Sequence, residues 1–88
     1  MNWVAEVRVV LKASVNDPEG LSIRGGLHSL GFDEVSSVRS GKLIQIHLTA
    51  ADRASAEAVV DRMCQQLLAN PVIEQYAFSL DAAPAPVA

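Results

Sequence analysis

Eighty-eight residues make one small domain, long enough to bury roughly 60% of its unfolded surface and too short for two cores. Half of the residues are apolar, 19% are charged and the mean hydropathy is +0.23, a balance that excludes an intrinsically disordered chain. Seven basic against ten acidic residues leave a net charge of −3, the wrong sign for a protein held by nucleic-acid phosphates or by an anionic membrane surface.

The single cysteine, Cys64, has no internal disulfide partner, so a stapled secreted miniprotein is excluded and a reducing compartment expected. Glu6 and Arg8 interrupt the first ten residues, which therefore do not read as a signal peptide. No run of about 18 apolar residues spans a bilayer. The expected setting is cytoplasmic.

From Trp3 to Leu11 the odd positions are all apolar, whereas Glu6, Arg8 and Lys12 share the other face with Val4 and Val10; this alternation predicts a half-buried strand. Asn16, Asp17 and Pro18 then signal a helix start, because a side-chain acceptor precedes a proline whose missing N–H costs nothing in the first turn. Ile23, Leu27 and Leu30 supply an apolar stripe, and Gly31 a left-handed cap with Phe32 packing back. Gly25 and Gly26 lie mid-helix, where each costs about 1 kcal/mol relative to alanine. Two compensations are open: close approach of another backbone, or a ligand or partner on that face.

Val35–Arg39 and Leu43–Thr49 read as two further strands joined by Ser40, Gly41 and Lys42, the second with Ile44, Ile46 and Leu48 facing inward. A second helix is expected from Thr49, with Asp52 completing a weak capping box and a stripe of Ala56, Val59, Val60, Met63, Leu67 and Leu68. Asn70 and Pro71 stop it. Val72–Leu80 is the last strand, so residues 1–80 form one domain and Asp81–Ala88 a mobile tail. The expected fold is α+β, strand-helix-strand-strand-helix-strand, an antiparallel sheet with two helices on one face in the ferredoxin-like manner. The other face would carry Val4, Val10, Leu43, Ile73 and Ala77, and unpaired apolar sheet surface predicts an oligomer joined through the sheet.

Chemistry-bearing constellations are sparse. His28 and His47 lack ligand-spaced companions, Asp33 and Glu34 read as solvated turn residues, and Gly25–Gly26 lacks the Lys and Ser/Thr of a phosphate loop. No catalytic residue, metal or cofactor site is assigned to this chain. Cys64 reads as a packed thiol. Arg39 and Lys42 flank a turn and would either bind an anion or stand solvated; Arg24 and His28, one helical turn apart, would form a polar partner patch or ordinary surface. Val35–Thr49 holds no aromatics, which excludes a sheet-face RNA reader, and Lys12–Gly20 holds no CxxC of a copper chaperone.

Four ordered blocks carry a resemblance: Leu11, Lys12, Ser14, Val15 and Asp17–Gly20; Leu27–Phe32; Val38, Arg39, Gly41 and Lys42; and Cys64, Leu67–Glu74 and Tyr76. Together, across residues 3 to 78, they resemble the PurS family, small subunits of bacterial phosphoribosylformylglycinamidine synthase. The resemblance implies a non-catalytic subunit of de novo purine synthesis that dimerises or tetramerises. It would hold a glutaminase subunit and a large synthetase subunit together and assist ammonia transfer between them, with ATP and magnesium bound by the synthetase. Expected partner contacts are the turn and loop groups Ser14, Asn16, Asp17, Arg39, Lys42 and Asn70, with Tyr76. Two other classes compete: a regulatory ferredoxin-like domain binding a small molecule between subunits, and a small hydrolase, for which acid–base pairs are missing. Fold analogy does not choose among them.

Overall fold

Alternation in the first strand decides where the core lies. The computed structural model describes residues 1–83, and in it β1 (Asn2–Leu11) is the central strand of a three-stranded antiparallel sheet, flanked by β2 (Gly41–Thr49) and β3 (Glu74–Ala83). Register places Ile46, Ala5 and Leu80 in one row across the sheet and Ile44, Val7 and Phe78 in the next. All six point to the same face, because side chains alternate with period two. Trp3, Ala5, Val7 and Val9 are buried there.

Helix α2 (Arg53–Met63) and the residue after it cover this face with Ala56, Val60 and Cys64, each fully buried. These residues recur every four positions, which drifts around an ideal helix of 3.6 residues per turn. The chain absorbs the drift by widening into one π-helical turn, Cys64–Leu68, closed by a 3.0 Å bond from the Ala69 N–H to the Cys64 carbonyl. Leu68 thereby packs against the core, whereas Leu67, expected in the stripe, is 84% exposed. The helix begins later than the sequence suggests: β2 keeps Thr49, and Asp52 is the cap itself, its carboxylate accepting the Ser55 N–H at 2.8 Å.

Helix α1 (Pro18–Ser29) behaves differently. Its only buried residue is Gly20, and Leu21, Ile23 and Leu30 stand exposed. A ten-residue strand spans about 33 Å and a twelve-residue helix about 18 Å, so the 49 Å length of the molecule is that of a helix continuing past the end of the sheet. The radius of gyration, 16.6 Å, exceeds the about 12 Å of a compact chain of this size. Gly31, at φ 97°, turns the chain at the far end. The Phe32 and Gly31 N–H groups bond the Leu27 and His28 carbonyls, both at 3.0 Å, in a Schellman closure. Residues 32–40 then return along α1, with His28 Nε2 donating to the Val35 carbonyl at 2.7 Å and Gly20 lying against the Val38 carbonyl. Helix and return segment make an arm projecting from the sheet.

Four expectations are corrected. The α+β class and the antiparallel sheet stand, but Val35–Arg39 forms no strand and only α2 lies over the sheet. Val35 and Val38 are three apart and would face opposite sides of a strand, so neither face of this short run is consistently apolar. Its Arg39 and the adjoining Ser40 instead serve the loop before α1: the Ser40 N–H donates to Asp17, and Arg39 reaches the carbonyls of Ala13 and Val15. The last strand starts at Glu74 rather than Val72, and continues through Ala83 into the segment expected to be a tail; residues 84–88 lie outside the described residues. The mid-helix glycines have nothing within 4 Å of where a side chain would begin, so no other backbone of the described residues approaches them.

Candidate functional site

Two surfaces gather the residues singled out from sequence. The first is the sheet face opposite α2. Its central row joins Leu43, Arg8 and Ala77, with Gln45, Glu6 and Ser79 on one side and Gly41, Val10 and Gln75 on the other; His47, Val4 and Asp81 follow. Val4, Val10, Leu43 and Ala77 therefore share this face as expected, Leu43 being 63% exposed. Ile73 does not: it sits in the turn before β3, where its carbonyl accepts the Lys12 N–H at 2.8 Å. Glu6, Arg8, Gln45, His47, Gln75 and Asp81 make the face mixed rather than oily, so the exposed apolar groups of the arm outnumber those of the sheet.

The second surface is the junction between sheet and arm, organised by Asp17. Its carboxylate accepts the Gly20 N–H at 3.0 Å, capping α1, and the Ser40 N–H at 2.7 Å, anchoring the return to β2. These two backbone donors, with the Arg39 guanidinium nearby, hold the carboxyl below its ordinary value of 3.8. Arg39 donates to the Val15 and Ala13 carbonyls, both at 2.7 Å, and so clamps the loop in which Ser14 and Asn16 are exposed. Lys42 is exposed too, beside Glu19 and Glu74 in a shallow recess of about 230 Å³. Asn16, Asp17 and Arg39 converge on one cleft; Lys42 lies in the neighbouring one.

Asn70 and Tyr76 are elsewhere and occupied internally. The Asn70 side chain accepts the Val72 N–H at 3.0 Å, while its backbone N–H donates to Glu74 at 2.7 Å, shaping the turn into β3. Tyr76 donates its hydroxyl to Asp61 at 2.5 Å, joining β3 to α2, and this bond raises the pKa of the phenol. Burial, with Asp61 nearby, likewise raises the Cys64 thiol, leaving it a packed and protonated group. Sequence reasoning missed Gly20, whose place against a backbone carbonyl has no motif to announce it, and Lys12, whose ammonium donates to the Pro71 carbonyl at 2.7 Å. Among the described residues no three metal-ligating side chains converge, and no helix is long and apolar enough to cross a membrane.

Asp17 makes the junction acid-sensitive. A folded-state pKa below the unfolded value means that its stabilisation is complete above the unfolded pKa and is lost as pH falls through the folded one. Asp17→Asn is expected to lower the thermal midpoint at pH 7, with the difference from the parent shrinking towards pH 3. Thermal unfolding followed at the two pH values measures this; an equal deficit at both contradicts the assignment.

A half-covered antiparallel sheet with a projecting, largely unpacked helical arm defines a class: small α+β domains built as subunits, whose exposed apolar groups are left for other chains. The model of the PurS family, described as phosphoribosylformylglycinamidine (FGAM) synthase, matches residues 4–82. The chain belongs to the PurS family. It is 48% identical to the phosphoribosylformylglycinamidine synthase subunit PurS of Synechocystis, over 92% of this chain and 81% of that one. With the Bacillus subtilis subunit the identity is 40%, over 90% and 93% of the two chains. The solved structure of Thermus thermophilus PurS superposes with a TM-score of 0.85 at 36% identity, covering 96% of this chain and all of that one. A chain from the PurLQS structure of Thermotoga maritima gives 0.84 at 29% identity, over 91% and 98%. Family membership favours the subunit reading over a regulatory ligand-binding domain.

Proposed function

We propose that this chain serves as the PurS subunit of phosphoribosylformylglycinamidine synthase in purine biosynthesis, joining a glutaminase subunit to a large synthetase subunit and assisting the passage of ammonia between them. The observation that carries the reading is the arm: Leu21, Ile23, Leu30 and Phe32 remain exposed on an element that its own sheet does not cover, within a chain matched to the PurS family over residues 4–82. Methanocaldococcus jannaschii PurS, whose solved structure is similar, is one of the subunits of formylglycinamide ribonucleotide amidotransferase in the purine biosynthetic pathway, and the Thermotoga structure is of PurLQS.

The chemistry explains why such a part is needed. Ammonia in neutral water is mostly protonated, and ammonium has no lone pair with which to attack an activated amide. Sequestering it between two sites keeps it reactive, as exclusion of water does elsewhere, and a subunit that fixes two large partners supplies proximity without performing the bond-making step. ATP and magnesium belong, on this reading, to the synthetase. Self-association as a dimer or tetramer would cover the arm and the open sheet face. Val4, Val10, Leu43 and Ala77 would then contribute from the sheet, and Ser14, Asn16 and Lys42 would remain for partners. A cytoplasmic setting agrees with the lone reduced thiol.

Reconstitution tests the proposal. The purified chain alone is expected to show no turnover, and its addition to the glutaminase and synthetase subunits to raise glutamine-dependent product formation to a plateau at fixed stoichiometry. Equally high activity without it would overturn the role. Sedimentation at micromolar concentration checks self-association, a single-chain particle being the contrary result.

A further inference from the structure

One helix does not cover a three-stranded sheet. Strands lie about 4.8 Å apart and a helix with its side chains is about 10 Å wide, so roughly a third of the helix-side face is left over. In this chain the uncovered part lies over β2. Helix α2 is tied to β3, its Asp61 accepting from Tyr76 and its Arg53 donating to the Leu80 carbonyl. Counted at about 100° per residue from the buried Val60, Val59 and Met63 fall on the flank of α2 away from Asp61, towards β2. Both are half-buried. So are Ile44, Ile46 and Leu48, which share the α2 side of the sheet with their register partners Val7, Ala5 and Trp3. These five apolar side chains outline a strip that the described residues leave unfinished.

The helix that fits the strip is carried by the same chain, in another place. On α1, Gly20, Arg24 and His28 take the side that meets the return segment. Beside them, Ile23, Gly26, Leu27 and Leu30 fall within about 100° of arc, with Phe32 closing back towards Leu27 in the Schellman turn. Ile23 is 42% exposed, Leu30 76% and Phe32 47%. Interaxial distance follows the side chains at a contact, and the open space around Gly26 lets another backbone come near. The arm is held off its own strip by its root, where Asp17 accepts the Ser40 N–H and Arg39 grips the Ala13 and Val15 carbonyls. We propose that two copies exchange arms: α1 of each lays Ile23, Gly26, Leu27 and Leu30 on the β2 strip of the other, giving each sheet its second helix.

Every copy carries both halves of this contact, the condition for a closed two-fold pair, and none of the side chains in it is charged. Area favours the reciprocal form. A leucine-sized side chain has about 60–120 Å² of apolar surface, taken from its transfer free energy. At the exposures found, one arm on one strip buries roughly 500 Å² when about 60% of an interface is apolar, the size of a crystal contact. Two reach the about 1,000 Å² of a specific interface. The exchange rests on the subunit reading for its purpose and leaves the opposite sheet face, with Arg8 and Leu43, for other chains.

Cross-linking reads the pairing directly. A ¹⁵N-labelled chain with Leu30→Cys, mixed with an unlabelled chain with Ile46→Cys, is expected to give a disulfide-linked mixed dimer on mild oxidation, identified by mass. Leu43→Cys, on the other face of β2, should not link to Leu30→Cys. In sedimentation, Leu30→Asp should weaken self-association at least tenfold with parent-like circular dichroism, whereas Leu43→Asp should leave the dimer intact. A parent chain that sediments as a single particle overturns the exchange, and so does a dimer lost with Leu43→Asp but kept with Leu30→Asp. If the aspartate variant fails to fold, the cysteine pair decides, absence of the mixed dimer being the contrary result. Glutamine-dependent activity of the reconstituted parent is read separately, so the exchange and the subunit role fail independently.

Discussion

Replacing Trp3 by alanine is expected to remove about 3–5 kcal/mol of folding free energy, the range for deleting a large buried aromatic. Trp3 is 5% exposed, in the row of β1 between Leu48 and Ala82. Its ring lies 5.3 Å from the Arg53 guanidinium carbon at the first turn of α2, and its indole N–H is 3.4 Å from the Ala50 carbonyl. Arg53 itself donates to the Leu80 carbonyl at 2.8 Å, so one contact set joins β1, the entrance of α2 and β3. A domain of this length has roughly 4–13 kcal/mol in total at ordinary per-residue stabilities. The loss should therefore lower the thermal midpoint by about 12 °C or more at the sensitivity typical of small domains. Circular dichroism is the suitable measurement, since the substitution removes the chain's one tryptophan. Trp3→Phe should recover most of the stability, because burial outweighs the cation–π contact, worth about 0.5–2 kcal/mol. A midpoint shift of only a few degrees for Trp3→Ala would show that the sheet and α2 are not joined there.

The second large effect is expected at Gly20. A methyl group there would overlap the Val38 carbonyl oxygen and stand 2.9 Å from an Asp17 carboxylate oxygen. Backbone is on one side and the helix cap on the other, so neither yields as a flexible side chain would. Gly20→Ala should therefore cost about 1–3 kcal/mol, even though alanine in place of glycine favours a helix by about 1 kcal/mol. Hydrogen exchange should show the loss confined to α1 and residues 36–40, with the sheet protected as before. Net stabilisation by Gly20→Ala would place α1 away from the return segment.

The strength of local signals explains how much of the fold was legible in the sequence. The inward set Trp3, Ala5, Val7 and Val9, the cap by Asp17, the turn at Gly31 and the stop at Asn70 each follow from stereochemistry within a few residues. Each is found where the pattern puts it. The family resemblance over residues 3 to 78 agrees with the matched span of 4–82. For the site, Val4, Val10, Leu43 and Ala77 meet on one face because parity along paired strands is a local property. Asp17 and Arg39 meet because the arm returns to the sheet beside its own root, a long-range event with no short-range marker.

Chain chemistry alone was enough for the class, the half-buried first strand, the Asp17 and Gly31 caps and the family, since these depend on alternation, on single residues of restricted dihedral freedom and on ordered local blocks. Only the tertiary arrangement decided that Val35–Arg39 is a return segment, that α1 leaves the sheet, and that Arg24 rather than Ile23 faces inward. An apolar stripe reveals which side of a helix avoids water, not whether the surface that covers it belongs to the same chain. In α1 Ile23 and Leu30 of that stripe remain exposed, and the inward side is chosen instead by the close approach of Gly20 to the Val38 carbonyl.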